Sequence, residues 1–381
     1  METATMEPVD ATVSPVFLAW KKNAPYIYKT LITATLPWPS PTVQWLPDVT
    51  SGPDHQVSQN LLLGTRTVGQ MPEYLRCARV TFSEQPFNLL ENYNPELKTV
   101  GGYMPQRSAD VKVFQRIDHS GEVNRARYMP QNQNLIATIS STGQAAVYDL
   151  THFPNNPCGI CKPDIELQAH TSEGFGLDWS TTHESFLITG ANDGKVAAWD
   201  IRKYNSSTGK LDSITLYEHP TAVNSVVFHP HQSHMAVFAA DDVVGLRDWR
   251  GEESLATFGS GGLAVACHPV NQNLVSVGTG TGEIELWDIR NSGAMIHKLT
   301  GHTDAVVALS WHPSRSAALL SGSQDTTAKI WDVSKLECFF SHNGHTAPVA
   351  DVAWNPAREL IASVADDNSL HLWSPAQNNQ N

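Results

Sequence analysis

No stretch of this chain approaches the roughly 20 consecutive apolar residues that cross a bilayer as a helix. The opening residues, METATMEPVD, carry acids and no basic segment, so a secretory leader is not expected. Positive charge is scarce. Lys and Arg number 25 against 38 Asp and Glu, and the formal net charge is −13. That balance speaks against direct nucleic-acid binding, which needs a basic footprint. It fits basic partners without naming one. Cysteine is sparse as well. Cys77, Cys158, Cys161, Cys267 and Cys338 make an odd set of five, which suggests reduced thiols in the cytosol or nucleus. Cys158 and Cys161 form a single C-x-x-C inside THFPNNPCGICKPD. A structural zinc site wants four ligands, and no second pair completes one, although His152 lies near in sequence. The segment reads as a loop, and no metal or other cofactor is expected.

Catalytic signatures are missing too. There is no H-E-x-x-H, no G-x-S-x-G and no P-loop. GTGTGE, residues 278–283, is glycine-rich but precedes the strand of Trp287, whereas a phosphate loop must open a helix. What remains is a chain of 381 residues, 41% hydrophobic and 17% charged, which reads as a soluble globular protein with a large core.

Its organisation is a repeat. AHTSEGFGLDWSTTHESFLITGANDGKVAAWDIR runs from Ala169, GHTDAVVALSWHPSRSAALLSGSQDTTAKIWDVS from Gly301, and GHTAPVADVAWNPARELIASVADDNSLHLWSPA from Gly344. Weaker copies start near His119, His219 and Phe258, with Tyr148-Asp149, Arg247-Asp248 and Trp287-Asp288 at the W-D position. These units resemble WD repeats, the blades of a β-propeller. Six follow residue 118. Residues 41–117 supply a divergent seventh, with strands in PTVQWLPDV, NLLLGTRT, EYLRCARVTF and VKVFQRIDH. The expected fold is all-β, a seven-bladed propeller.

Polar residues recur at fixed offsets: His170, Thr189, Asp193, Trp199; His302, Ser321, Asp325, Trp331; His345, Ser363, Asp367, Trp373. A nucleophilic triad is needed once, whereas this set recurs in three blades. It reads instead as buried hydrogen-bonded chains that hold each blade together. Most other histidines fall in H-P turns such as His229-Pro230, His268-Pro269 and His312-Pro313. No enzyme is expected.

The last unit ends at LHLWSPAQNNQN, without room for another outer strand, and an open edge is a liability. Residues 30–36, within KTLITATLPW, are expected to fill it. The propeller then spans 30–376, with an extension at 1–29 and a tail at 377–381. Within the extension, Phe17, Trp20, Ile27, Tyr28 and Leu31 suit one face of a helix, kinked or restarted at Pro25. That helix should lie beside the last blade. Its apolar face either only covers the blade or forms one wall of a groove for a partner helix.

AWKKNAPYIYK, LPWPSPTVQWLPDVT and GEVNRARYMPQNQNLIAT are more specific than a generic WD signature. In them the chain resembles the retinoblastoma-binding histone chaperones, the MSI-type or Caf-type WD proteins, over essentially everything after residue 15. The resemblance implies a non-catalytic histone-binding scaffold of chromatin-assembly or chromatin-modifying complexes. It implies core histones and larger subunits of such complexes as partners, with no direct nucleic acid and no membrane. The nucleus is the implied location, with the cytoplasm left open; Lys21-Lys22 alone is too short for an import signal.

The family takes the H-three tail and other basic peptides on one propeller face. The matching positions here are Glu122, Asn124, Arg125, Glu173 and Asp366, with Phe175 where the family has tyrosine. The family also holds the first helix of histone H-four between the N-terminal helix and a loop in the final blade. The residues matched to that groove are Phe17, Trp20, Tyr26, Ile27, Tyr28, Phe339 and Phe340. Departures are substantial. Asn224, Gly261, Ala305 and Pro37 replace family acids, Pro15 and Val16 replace acids on the helix, and the family's acidic proline-containing loop is absent from WDVSKLECFFSHNGH. A rival reading follows: a propeller scaffold or peptide receptor that has lost part of its histone binding. An enzyme or metal protein using CGIC or a histidine set ranks below both.

Overall fold

The computed structural model describes residues 14–53, 56–83, 93–94, 99–100, 110–209, 211–251 and 254–376. Residues 1–13 of the extension and the tail 377–381 lie outside them. Among the described residues are seven four-stranded antiparallel sheets, and the protein is a seven-bladed β-propeller. Blade 1 uses Val43–Ser51, Gln56–Leu63, Glu73–Ser83 and Asp110–His119, with the short pair Tyr93–Asn94 and Thr99–Val100 inserted before its fourth strand. Blades 2 to 6 follow in simple meander order, beginning at Val123, Gly174, Val223, Ala264 and Val306.

Blade 7 is composite. Val349–Trp354, Ile361–Ala365 and Ser369–Pro375 come from the end of the chain, and Tyr28–Thr35 comes from the beginning. The register pairs Leu31 with Trp373 and Thr35 with Ser369. This strand starts two residues before the expected position and ends one before it. Leu36 still contributes, its amide donating to the Asn368 carbonyl at 2.7 Å.

The apolar residues divide into seven clusters, each lying between two neighbouring blades. Ile32 and Leu372 meet Val43 and Trp45 between blades 7 and 1, for example. A ring with one weak junction would have one junction without such a cluster. Asp351, almost fully buried, adds a polar bolt at the same junction. It accepts from the Val43 amide at 2.9 Å, from Arg125 at 3.2 Å and from Arg127 at 3.1 Å, joining blades 7, 1 and 2. A buried carboxylate persists only when paired in this way.

The helix α1 covers Pro15–Ile27. Ser14 caps it, its hydroxyl accepting from the Val16 amide at 3.3 Å, and Pro15 sits at the first turn, where no amide hydrogen is needed. The expected kink or restart at Pro25 does not occur. Pro25 removes one hydrogen bond to the last turn, and the helix ends two residues later, so little helix depends on it. The chain passes directly from Ile27 into the closing strand.

Candidate functional site

Three blades carry the recurring polar chains. In blade 3, His170 contacts Thr189 Oγ1 at 2.8 Å and Asp193 at 3.2 Å, and Trp199 Nε1 donates to the same threonine at 3.0 Å. In blade 6, His302 contacts Ser321 at 2.7 Å and Asp325 at 2.8 Å, and Trp331 donates to Ser321 at 2.8 Å. In blade 7 the chain is rerouted. His345 contacts Ser363 at 2.7 Å, but its other nitrogen meets Ser369 Oγ at 2.7 Å, while Asp367 stands 3.7 Å away. Asp367 instead accepts from Ser369 and from the Thr346 amide. Burial lowers the His302 pKa despite the pull of Asp325. Burial resists ionisation of Asp325 as well, but His302, Thr327 and the Thr303 amide together hold its carboxyl well below the usual range. Each triad is saturated by its own blade, which is a structural arrangement and not that of a poised nucleophile.

The loop before each first strand and the turn between second and third strands lie at one end of the propeller, because neighbouring strands run antiparallel. Glu122, Glu173 and Asp366 are all at this end. Asn124 reaches between blades, its amide nitrogen donating to Glu173 Oε1 at 2.8 Å and to the Gly174 carbonyl at 3.1 Å. Asn124 is only 2% exposed, and among the described residues nothing donates to its Oδ1. A buried acceptor without a donor is costly and calls for one. Burial pushes the Glu122 carboxyl up, against the pull of Arg66 and with the charges of Glu73 and Glu173 adding to the rise.

Two residues assigned to the face lie elsewhere. Arg125 points inward, donating to the Phe175 carbonyl at 3.2 Å and pairing with Asp351. Phe175 joins it in lining the central channel, a cavity of about 500 Å³ that also holds Arg127 and Asp178. The reason is strand alternation: Asn124 and Arg125 are consecutive, so their side chains leave on different sides.

The replaced acids prove less damaging than the sequence implies. Asn224 donates to Asp241 at 2.8 Å and to the Gly262 carbonyl at 3.0 Å, repeating the Asn124 pattern one blade on from Glu173. Beside Ala305, whose amide donates to it at 2.7 Å, stands Asp304. Asp241 and Asp304 are both exposed at the rim. Sequence matching missed them because they occupy neighbouring positions. It missed Arg66 as well, which bridges Glu122 and Asp366 from the tip of a blade 1 hairpin.

The side groove is the larger correction. Its seven candidate residues do not form one exposed surface. Trp20 Nε1 donates to Tyr28 Oη at 2.8 Å, and Trp20 stacks on His371 with ring centres 6.2 Å apart. Tyr28 is buried against Phe340, 5.2 Å between ring centres, and Phe340 stacks on Trp373. These three hold α1 and the closing strand to the ring. Phe17 packs on Trp20 at 5.3 Å, and Ile27 is half-buried against the same cluster. Only Tyr26 and Phe339, 55% and 59% exposed, face solvent. Phe339 and Phe340 are adjacent on one strand and so project to opposite faces. Phe339 lines a depression of about 240 Å³ with Lys29, Arg315, Ile330, Trp354 and Pro375. The turn expected to carry the loop, between Asp332 and Glu337, belongs to blade 6 and not to the final blade. It closes tightly, with Lys335 N bonded to the Asp332 carbonyl at 3.2 Å and Leu336 at φ 57°.

His342, His345 and His371 crowd together, with ligand atoms within 4.8 Å of one another. The His345 and His371 rings stack 4.2 Å apart at 15°, so their lone pairs run side by side and do not converge on one point. Both nitrogens of His345 engage serines, and those of His342 engage Tyr28 at 2.6 Å and His371 at 2.9 Å. The cluster serves hydrogen bonding. The CGIC loop is similarly anchored: Asp118 accepts from the Cys158 and Gly159 amides at 2.9 Å each, and both of its cysteines are free thiols.

Comparison with known proteins bears on this geometry. The family model for the histone-binding protein RBBP4, a component of the CAF1 complex, matches residues 16–84. Models of the WD domain, G-beta repeat, match 293–332 and 336–374. The histone acetyltransferase type B subunit 2 of Schizosaccharomyces pombe is 34% identical over 96% of this chain and 91% of its own length. The Aspergillus oryzae protein of the same name is 35% identical with the same coverage. The chain belongs to the RBBP4-type WD-repeat family. The matched family segment spans α1, the closing strand and the first three strands of blade 1. The subunit 2 protein of Candida glabrata, at 28% identity over 99% of the chain, extends the family match through every blade.

Proposed function

We propose that this protein is a non-catalytic histone-binding scaffold subunit, acting in the nucleus within a chromatin-assembly or chromatin-modifying complex. The rim of Glu122, Glu173, Asp241, Asp304 and Asp366 takes basic histone segments such as the H-three tail. The observation that carries this reading is the Asn124–Glu173 pair. It sets a carboxylate beside a buried, unfilled acceptor, and an Arg or Lys side chain can donate to both. The names of the relatives support a place beside a histone acetyltransferase. Titration of the full chain with an H-three tail peptide tests the rim. Glu173→Gln with Asn124→Ala should weaken binding at least tenfold, since charge-assisted contacts of this kind contribute about 1.5–3 kcal/mol. Unchanged affinity in a folded double variant refutes the site. Co-purification of core histones and a catalytic subunit from native extract tests the assembly.

A second reading has its own support. The tight Asp332–Glu337 turn leaves the depression beside Phe339 without an acidic wall, and Lys29 and Arg315 stand on its rim. Such a pocket suits an apolar side chain better than a basic histone helix. On this reading the rim still binds basic tails, while the side receives a different partner. A peptide of the first H-four helix that fails to bind, alongside an H-three tail that does bind, selects it.

A further inference from the structure

Arg66 stands in the turn between the second and third strands of blade 1, and its guanidinium reaches both neighbouring blades. Nη1 lies 2.9 Å from Asp366 Oδ1 in blade 7, and Nε lies 3.4 Å from Glu122 Oε2 in blade 2. The side chains of Arg66, Glu122 and Asp366 are 29%, 21% and 36% exposed, so the bridge is open to exchange with solvent and solutes. The rest of the rim differs. Among the described residues Glu173, Asp241 and Asp304 form no ion pair; their partners are the neutral Asn124, the neutral Asn224 and the Ala305 amide. A single cation therefore sits in a row of carboxylates that otherwise meet only neutral donors.

We propose that Arg66 is an internal surrogate for a ligand's cation and sets which basic segments the rim accepts. This rests on the reading of the rim as a receptor for basic segments. A ligand arginine or lysine aimed at Glu122 or Asp366 must first displace the Arg66 guanidinium, which is long, partly exposed and able to swing into solvent. One aimed at Glu173 and the Asn124 oxygen displaces nothing. The rim thus selects segments that place a cation at Glu173, with further charge toward Asp241 and Asp304. Segments dense in positive charge meet repulsion from Arg66 across blades 7, 1 and 2. Specificity arises from a repulsive element built into the site as well as from its attractive ones.

The test is fluorescence anisotropy on the full chain, using a short labelled peptide of alternating Arg and Ala and a Gln–Ala control, at two salt concentrations. Arg66→Gln should bind the Arg peptide about fivefold more tightly, the scale of a partly exposed ion pair, and with a steeper salt dependence. Arg66→Lys, which keeps the charge, should stay close to the parent. Glu122→Gln with Asp366→Asn leaves Arg66 as an unpaired cation on the rim, and binding should fall. If the parent binds and a folded Arg66→Gln variant binds equally or more weakly, the surrogate role is overturned while the rim reading stands. If neither the parent nor any variant separates the Arg peptide from the control, the rim reading itself fails and takes this inference with it.

Discussion

The hydroxyl of Tyr28 lies 2.6 Å from Nδ1 of His342, a residue 314 positions further along the chain. The direction of this bond follows from its neighbours. Trp20 Nε1 can only donate, and it donates to Tyr28 Oη at 2.8 Å. Tyr28 therefore donates onward to His342, whose Nε2 hydrogen then points at His371 Nδ1, 2.9 Å away. Burial pushes the Tyr28 phenol far above its usual range, so it stays a donor at any ordinary pH. Replacing Tyr28 with Phe keeps the ring against Phe340 and strands both Trp20 Nε1 and His342 Nδ1. At about 1–3 kcal/mol for each buried unsatisfied group, the loss should be about 2–4 kcal/mol in urea unfolding. Emission from Trp20 should shift to the red as its end of the helix loosens. An unfolding midpoint equal to that of the parent would mean that the chain of donors contributes nothing.

The same histidines predict an acid-sensitive fold. Burial lowers the pKa of His342 well below the usual value, with the neighbouring His371 and His345 adding to the effect. Burial does the same to His371, joined by His345 and opposed by Asp367. Above about pH 6.5 both are neutral in folded and unfolded chains, and they contribute no pH dependence. Below it the unfolded chain takes up protons that the folded chain refuses, so stability falls with pH. Two refused protons give a slope of about 2.7 kcal/mol per pH unit. His371→Gln can still accept from His342. It should make the slope between pH 6 and pH 5 shallower by about 1.4 kcal/mol per unit, one proton's worth. An identical slope in the variant would mean that folded His371 takes up its proton freely.

The propeller was readable from the sequence because its signal repeats. Each blade needs a hydroxyl residue at the same register against its tryptophan, as with Thr189 and Trp199 or Ser321 and Trp331, so three copies reinforce one another. The site was less readable because its determinants occur once and act across blades. Arg66 meets Asp366 from 300 positions away, and nothing near either residue signals the pairing. Asp241 and Asp304 stand one turn or one residue from the positions where an acid was sought, a displacement that only the folded rim makes equivalent. Tyr28 and Phe340 look like groove residues by type. They are latch residues because a buried histidine and a tryptophan from the far end of the chain meet them.

Val68 offers a gain in stability. It occupies the hairpin tip next to Arg66 at φ 52°, followed by Gly69 at φ 73°, and Gln70 N bonds to the Thr67 carbonyl at 3.0 Å. That is the mirror-image turn in which both central residues adopt left-handed backbone. A β-branched residue is strained there, whereas asparagine is at ease. The Val68 side chain is 73% exposed, so its removal forfeits little packing. Val68→Asn should stabilise the protein by about 1 kcal/mol, read as a higher urea midpoint at unchanged slope. A lower midpoint would show that the valine makes a contact worth more than its backbone strain.

Two truncations separate the helix from the strand that follows it. Removing residues 1–26 deletes most of α1 and Trp20 but keeps Tyr28–Thr35 paired with Ser369–Pro375. Blade 7 remains four-stranded, and the chain should stay soluble and folded, weakened because Tyr28 loses its donor and His371 its stacked ring. Removing residues 1–36 deletes the strand as well. Ser369–Pro375 then becomes an open edge, and Ile32 and Leu36 leave the cluster that joins blades 7 and 1. Burying each such side chain contributes about 1.5–3 kcal/mol, so losing two of them along with a full strand ladder exceeds the margin of a typical domain. The longer truncation should aggregate or elute as an oligomer in size-exclusion chromatography, while the shorter one elutes as the parent does. Equal melting of the two would mean that the ring closes without its leading strand.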